Sequence, residues 1–179
     1  LHSYPTRRSS DLGVGKMRTA VNLAASLAAA EHRTLLVDVD PQGNAGSALG
    51  VRRDDTDKSI YEVLLDGLPI REAVRKTELK FLDLVPASRH LVGAELELAE
   101  LEGREARLKR AVDEIAGEYE YVIIDCPPSL GLLTLNGLVA AKGVMIPLQC
   151  EYYALEGLAD VLKTIELVRA SANPGLAAD

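Results

Sequence analysis

Residues 33–44, Arg-Thr-Leu-Leu-Val-Asp-Val-Asp-Pro-Gln-Gly-Asn, decide the fold of this chain. A short apolar run leads into two carboxylates, Asp38 and Asp40, and then into a Pro-Gln-Gly turn. An apolar run of this length, bounded by turn residues, predicts a buried strand over 34–38. A second apolar run, residues 121–125, also ends in a carboxylate. Such strands are typical of parallel sheets that helices cover on both faces.

The composition agrees with that architecture. The chain has 179 residues, of which 47% are apolar but only 4% aromatic, so Leu, Val, Ile and Ala must form the core of one domain. Its net charge of −7 argues against electrostatic nucleic-acid binding by the whole chain. Cys126 and Cys150 form no C-x-x-C motif, which is typical of reduced cysteines in the cytosol. No apolar run reaches transmembrane length.

Predicted helices and strands alternate along the chain. This alternation predicts an α/β fold with a mostly parallel sheet and helices on both faces. The predicted strands are 34–38, 81–85, 121–125 and 144–148. The predicted helices are 16–30, 59–65, 69–74, 91–101, 104–117, 130–141 and 155–170. We expect Asn173-Pro174-Gly175 to be a turn with no element after it, as in a chain truncated at its C-terminus.

Chemistry-bearing residues fall where parallel strands end, and open α/β sheets bind ligands beyond the carboxyl ends of their strands. Gly13-Val14-Gly15-Lys16 precedes a helix and fits the end of a phosphate loop, because glycines let backbone N–H groups point at phosphate oxygens. Lys16 would bridge the β- and γ-phosphates. Alone, the same string is also compatible with a glycine-rich turn before a helix.

The acids complete the pattern of a nucleoside-triphosphate site. Asp38 and Asp40 are two residues apart, so in extended backbone they point to one face. One could hold Mg²⁺ through water while the other orients the attacking water. Asp125 fits a Walker B acid. The structural alternatives are that the acid pair caps the next turn and that Asp125 is an exposed strand-end carboxylate.

Taken in order, these segments resemble the ParA/Soj family of chromosome- and plasmid-partitioning ATPases, in the deviant-Walker P-loop class that includes MinD. The matching stretches are 13–16 with 20–28, 36–44, 84–87, 122–129 and 146–157. The resemblance implies a P-loop NTPase-like fold and a cytoplasmic, nucleoid-associated protein without a membrane anchor. It also implies ATP and Mg²⁺ as cofactors, an ATP-dependent homodimer that binds DNA non-specifically, and a ParB-like partner that stimulates hydrolysis.

The resemblance also implies a role for each matched site residue. Asp40 and Lys16 would be catalytic, with Asp40 positioning the attacking water. Asp125, with Asp38, would hold the hydrated Mg²⁺. The nucleotide-binding candidates are Gly13, Val14, Gly15, Lys16 and Thr19.

Three residues depart from the family loop, Lys-Gly-Gly-x-Gly-Lys-Thr. Asp11 stands at the first Lys and would repel phosphates. Leu12 restricts a backbone position that glycine leaves free. Met17 replaces the Thr hydroxyl with a thioether, a poor ligand for a hard cation, and Thr19 lies too far along the helix to be a good substitute. The three departures predict that ATP hydrolysis by this chain is impaired.

Residues 1–12 match no part of the family pattern. With Pro5, Arg7 and Arg8 they cannot fill a doubly buried strand, so the first central strand of the sheet is expected to be missing. They are similar to the translation of a sequencing-library adapter, which suggests a non-native tail followed by a partial domain over 13–179. We expect such a polypeptide to fold poorly and to hydrolyse little ATP. The alternatives are a MinD-like ATPase of the cell-division site and a catalytically inert nucleotide-binding remnant.

Overall fold

The computed structural model describes residues 10–52, 57–147 and 154–178, and only the backbone of 10–17, 154–157 and 178. It is an α/β fold, as predicted. A four-stranded sheet has the order β2-β3-β1-β4, and β5 and β6 form a separate parallel pair. The strands are β1 (Thr34–Asp38), β2 (Arg75–Lys76), β3 (Leu82–Val85), β4 (Tyr121–Asp125), β5 (Gly143–Val144) and β6 (Ala177–Ala178).

Eight α-helices are present among the described residues. They are α1 (Ser10–Ala29), α2 (Asn44–Ala48), α3 (Ile60–Leu65), α4 (Ile70–Ala73), α5 (Ala94–Ala99), α6 (Arg107–Asp113), α7 (Leu132–Ala140) and α8 (Ala154–Ser171). The predicted helix 91–101 is divided at Gly93 into a 3-10 turn and α5, and the predicted helix 104–117 has 3-10 turns at both ends of α6. No helix in the described ranges is long and apolar enough to cross a membrane.

β1 lies at the centre of the sheet, with β3 and β4 parallel to it on its two sides. All five of its residues are fully buried. Leu36 packs on the side of the sheet that α1 covers, whereas Leu35 and Val37 belong to the larger core on the other side. A strand that is buried on both faces and paired along both edges explains why this part of the sequence is almost purely apolar.

The short strand β2 was not predicted. It pairs antiparallel with β3, so that Arg75 lies opposite Leu84 and Lys76 opposite Asp83. The Lys76 ammonium lies 2.7 Å from the Asp83 carboxylate, which also accepts a hydrogen bond of 2.8 Å from the Tyr119 hydroxyl. Two charged residues at a sheet edge carry no apolar periodicity, so a strand of this kind cannot be recognised from the sequence.

The C-terminal segment differs from expectation. The turn at 173–175 leads into β6, which pairs parallel with β5 through Gly143–Ala177 and Val144–Ala178. The Asn173 side-chain amide donates to the backbone oxygens of Leu138, Val139 and Ala141 at 3.0, 3.2 and 2.7 Å and so fixes this turn on the end of α7. The prediction that nothing follows the turn was therefore wrong.

β5 is also shorter than the predicted strand 144–148. Its last residue is Val144, and residues 145–147 have no regular secondary structure. Residue 148 lies outside the described residues.

Candidate functional site

Two carboxylates meet at the carboxyl ends of β1 and β4. Asp38 is the last residue of β1, Asp125 is the last residue of β4, and the two are directly paired in the parallel register. Their exposed fractions are 0% and 4%. The Asp125 backbone oxygen accepts a 2.9 Å hydrogen bond from the Val39 amide, which continues the ladder past the acids. The sheet register therefore brings together the two acids that were predicted to lie at one edge.

Asp38 sits in an environment that disfavours its charge. Burial, and then the neighbouring Asp125 carboxylate, raise the pKa of Asp38 from 3.8 to about 7. Two backbone amides oppose that shift: Asp40 N–H donates to Asp38 at 3.1 Å and Gly46 N–H at 3.2 Å. A divalent cation beside the two carboxylates would stabilise the charged form that burial disfavours.

Asp40 begins the turn that leads into α2. Its carboxylate accepts a 2.9 Å hydrogen bond from the Gln42 amide, and its side chain is half-buried. Gly43 then takes a left-handed conformation, with φ of 63°, as the N-cap of α2. Asp40 thus has the structural role that was the alternative to the catalytic one, and so does Asp38. Asp40 is only half-buried and so keeps partial access to solvent.

The predicted phosphate loop has a different backbone. Residues 13–16 are helical, because α1 extends from Ser10 to Ala29. Residues 10–12 also belong to α1. Leu12 in place of the family glycine offers a physical reason, since glycine disfavours helix by about 1 kcal/mol and leucine is a strong helix former.

Helix geometry gives the position of Lys16 along α1 relative to the carboxyl edge of the sheet. α1 leads into the amino end of β1 through only four residues, so the helix runs back along the strands towards the carboxyl edge. Lys16 lies 13 residues before Ala29, a helical distance of about 20 Å, comparable to a five-residue strand and its connection. Its backbone thus reaches the level of the acids. The side chains of residues 10–17 lie outside the described ones, so the roles of Lys16, Asp11, Leu12 and Met17 stay predictions.

Sequence reasoning missed three residues that shape this edge. Gly46 supplies the buried amide on Asp38, and a side chain there would crowd the Val51 backbone oxygen. Glu95 of α5 accepts from the Leu133 amide at 3.4 Å and thereby caps α7, which follows the loop after Asp125. Gly137 of α7 lies against the Cys126 sulfur. Of the three, only Gly137 left a sequence signal, as an isolated glycine in the mostly apolar run 132–140.

Thr19, a nucleotide-binding candidate, and the basic residues of 104–110, a run typical of a solvated helix face, have structural partners. Thr19 is half-buried in α1. The basic residues of 104–110 mostly bind backbone oxygens; Arg107 donates to the Leu64 oxygen at 2.7 Å at the end of α3, and Arg110 to that of Gly103 at 2.9 Å. Within the described ranges, no three His, Cys, Asp or Glu side chains form a group that could hold a metal ion by themselves.

The fold and the acid pair define the class of an α/β, P-loop NTPase-like domain. A family model described as an AAA domain, AAA_31, matches residues 10–178. The chain is 61% identical over 164 residues to the chromosome partitioning protein ParA of Myxococcus xanthus. It is 51% identical over 164 residues to the sporulation initiation inhibitor protein Soj of Bacillus subtilis. Each alignment covers 92% of this chain, but 58% of the first relative and 65% of the second.

A solved structure agrees with the fold. It is that of a Mycobacterium smegmatis protein described as cobyrinic acid a,c-diamide synthase with a bound ATP analogue and magnesium, and it superposes with a TM-score of 0.88 at 44% identity. The match covers 93% of this chain and 68% of that one. The chain therefore belongs to the AAA_31 family of AAA domains, and its resemblance to ParA/Soj-type partitioning ATPases is confirmed.

Proposed function

We propose that this chain is the nucleotide-site part of a ParA-like partitioning ATPase, whose parent protein binds and hydrolyses ATP with Mg²⁺. The observation that carries the proposal is the pairing of Asp38 with Asp125 at the carboxyl edge, in a chain 61% identical to a chromosome partitioning protein. The chain spans about three-fifths of the length of the relatives it matches, so residues 13–179 are proposed to be a partial domain. Residues 1–12 are proposed to be a non-native tail because of their composition.

The proposed division of labour follows from the positions of the acids. Asp125 and Asp38 hold a hydrated Mg²⁺, which supplies charge neutralisation at the phosphates; two carboxylates together with phosphate oxygens are a usual ligand set for this ion. Asp40, half-buried just beyond the carboxyl end of β1, would accept a hydrogen bond from the attacking water. Lys16 and the amides of residues 13–15 bind the phosphates, and Thr19 lies one turn further along α1.

The partners of the parent protein are also part of the proposal. By its resemblance to ParA and Soj, it forms an ATP-dependent homodimer, binds DNA non-specifically in the nucleoid, and is stimulated by a ParB-like protein. The protein with the TM-score of 0.88 is described as cobyrinic acid a,c-diamide synthase with a bound ATP analogue and magnesium, so magnesium–ATP is the ligand to test first.

Magnesium-dependent nucleotide binding tests the proposal. We expect the chain to melt at a higher temperature with ATP and Mg²⁺ than with ATP and EDTA, because a ligand at a hundredfold its Kd adds about 2.7 kcal/mol to the free energy of unfolding. Asp125→Asn should weaken magnesium-dependent binding at least tenfold in calorimetry. Asp113→Asn, at an exposed carboxylate paired with Lys109, is the matched control and should bind normally. A magnesium-independent melt at millimolar ATP would overturn the proposal.

The helical backbone of residues 13–16 favours a second candidate, a catalytically inert nucleotide-binding remnant. Together with Met17, it predicts binding without turnover. Phosphate release measured on the protein used for calorimetry separates the two: binding with turnover supports the ATPase, and binding alone supports the remnant.

A further inference from the structure

Residues 126–131, Cys-Pro-Pro-Ser-Leu-Gly, form the loop that joins β4 to α7 directly after Asp125. Residues 128–130 are exposed, and a cavity of about 330 Å³ borders the loop at Leu130 and is also lined by Thr164 of α8. The two prolines have no N–H, so they cannot donate a hydrogen bond to a turn. Sheet pairing therefore fixes Asp125, whereas the loop after it needs other contacts to be ordered.

Thr134 of α7 supplies such a contact. Its hydroxyl donates to the Ser129 backbone oxygen at 2.6 Å and lies 3.4 Å from the Pro127 oxygen. Both oxygens belong to the loop, and both precede the helix. The distance to Ser129 is within the normal range for an O–H···O bond, so this bond is the main one. It fastens the exposed part of the loop to the first turn of α7.

The direction of this hydrogen bond differs from that of the hydroxyls in α8. Thr164 donates to the Asp160 oxygen at 2.8 Å, four residues earlier in the same helix. Ser171 does the same with the Leu167 oxygen at 2.7 Å. The Thr134 hydroxyl instead reaches oxygens five and seven residues earlier, outside α7. It therefore holds the loop and does not serve the backbone of its own helix.

α7 is a fixed base for that bond. Its Asn136 side chain is fully buried, accepts from the Leu108 amide at 3.1 Å and donates to the Arg104 oxygen at 2.7 Å. These partners belong to the segment that leads into α6 and to α6 itself. Because the helix is held from that side, the loss of the Thr134 hydroxyl should release the loop without moving α7.

We propose that Thr134 is a positioning residue of the candidate site. Its hydroxyl keeps the loop 126–131 ordered beside Asp125, so that the loop is already in place when magnesium–ATP binds there. Ordering a loop on binding costs affinity, and a loop that is ordered in advance avoids that cost. The inference rests on the proposed function, in which Asp125 holds the hydrated Mg²⁺. In this role Thr134 acts through the loop and not on the metal or the phosphates.

Backbone dynamics of the protein without nucleotide test the first step. Thr134→Val keeps the shape of the side chain and removes the donor, whereas Thr134→Ser retains the hydroxyl. In the parent chain and in Thr134→Ser, we expect the NMR order parameters of the Ser129 and Leu130 amides to be those of rigid backbone, about 0.85. In Thr134→Val they should fall below about 0.6. Thr164→Val, the matched control beside the same cavity, should leave them unchanged.

Calorimetry with nucleotide tests the second step. Thr134→Val should weaken the binding of ATP with Mg²⁺ about three- to tenfold, the range expected for the loss of one hydrogen bond, and Thr134→Ser should bind as the parent chain does. With ATP and EDTA, the affinity of Thr134→Val should change by less than about twofold, because ATP without the metal does not engage Asp125 and the loop beside it. A role confined to the stability of α7 would weaken both kinds of binding equally.

Three results would overturn the proposal. The first is unchanged order parameters of Ser129 and Leu130 in Thr134→Val, whatever the nucleotide does. The second is an equal loss of affinity with Mg²⁺ and with EDTA, and the third is a Thr134→Ser variant that behaves like Thr134→Val. If the parent chain binds ATP equally well with and without Mg²⁺, the proposed function fails instead. The order parameters are measured without nucleotide, so they still decide whether Thr134 holds the loop.

Discussion

The candidate site has two sides that are held in different ways: the acid side, Asp38 and Asp125, and the phosphate side, residues 13–16. Asp38 and Asp125 end two paired strands, so the sheet register fixes their positions whatever occupies the site. Residues 13–16 depend on local backbone conformation, and in this chain they continue α1. The difference indicates that strand-end residues can keep their arrangement after substitutions nearby, whereas a phosphate loop needs its own glycines.

The largest loss of stability on the acid side is expected from a substitution in the buried core of β1. Leu36 is fully buried in β1 and lies between Leu84 and Ile123 in the register. Leu36→Ala should lower the free energy of unfolding by about 2–5 kcal/mol, since it removes buried methyl groups and leaves a cavity. Urea denaturation measures the change. The control, Leu96→Ala, truncates a side chain that is 81% exposed and should shift stability by less than about 0.5 kcal/mol.

The buried carboxylate should make stability depend on pH. The folded pKa of Asp38, about 7, is above its ordinary value of 3.8, so between these values the folded chain holds a proton that the unfolded chain has released. This contribution to stability is therefore full at pH 4, falls as pH rises to about 7, and is lost above it, by on the order of a few kcal/mol at most.

Asp38→Asn removes that titration, so without magnesium its stability relative to the parent chain should rise between pH 4 and pH 7. Urea denaturation at several pH values measures the difference. The exposed Asp113→Asn variant should stay parallel to the parent chain over the same range. Parallel curves for Asp38→Asn would show that this carboxylate is ionised in the folded chain throughout.

A substitution at the contact between α7 and Cys126, the residue after Asp125, should have a smaller effect on stability. A Cβ on Gly137 would overlap the Cys126 sulfur, so Gly137→Ala should cost about 1–3 kcal/mol through overpacking. The Cys126→Ala substitution in the same chain should recover part of that loss. Gly117→Ala is the matched control, because nothing lies within 4 Å of its added Cβ and the substitution should be neutral or slightly stabilising. Equal losses at both glycines would exclude this close contact.

The sequence predicted the acid side better than the phosphate side for a physical reason. The apolar runs of β1 and β4 indicate burial, and parallel pairing of two such strands brings their final carboxylates together. The glycines and lysine of 13–16 indicate a chemistry but not a conformation, because the same residues can extend a helix when Leu12 precedes them. Long-range details such as the Glu95 cap on α7 have no local signal at all.

Restoring the family loop tests the phosphate side directly. It is expected to give the smallest change in free energy of the variants described here. The variant Asp11→Lys, Leu12→Gly, Met17→Thr restores a phosphate-binding lysine, backbone freedom and a hydroxyl ligand for Mg²⁺. We expect α1 to shorten and magnesium-dependent ATP binding to tighten about tenfold, equivalent to about 1.4 kcal/mol. Calorimetry gives the affinity, and amide exchange over 10–17 gives the helix boundary. The matched control carries Leu12→Ala instead, which removes the side chain but retains helix propensity. If that control binds ATP as tightly as the glycine variant, the affinity is limited by the charge at residue 11 and the hydroxyl at residue 17. The backbone at residue 12 would then have no part in it.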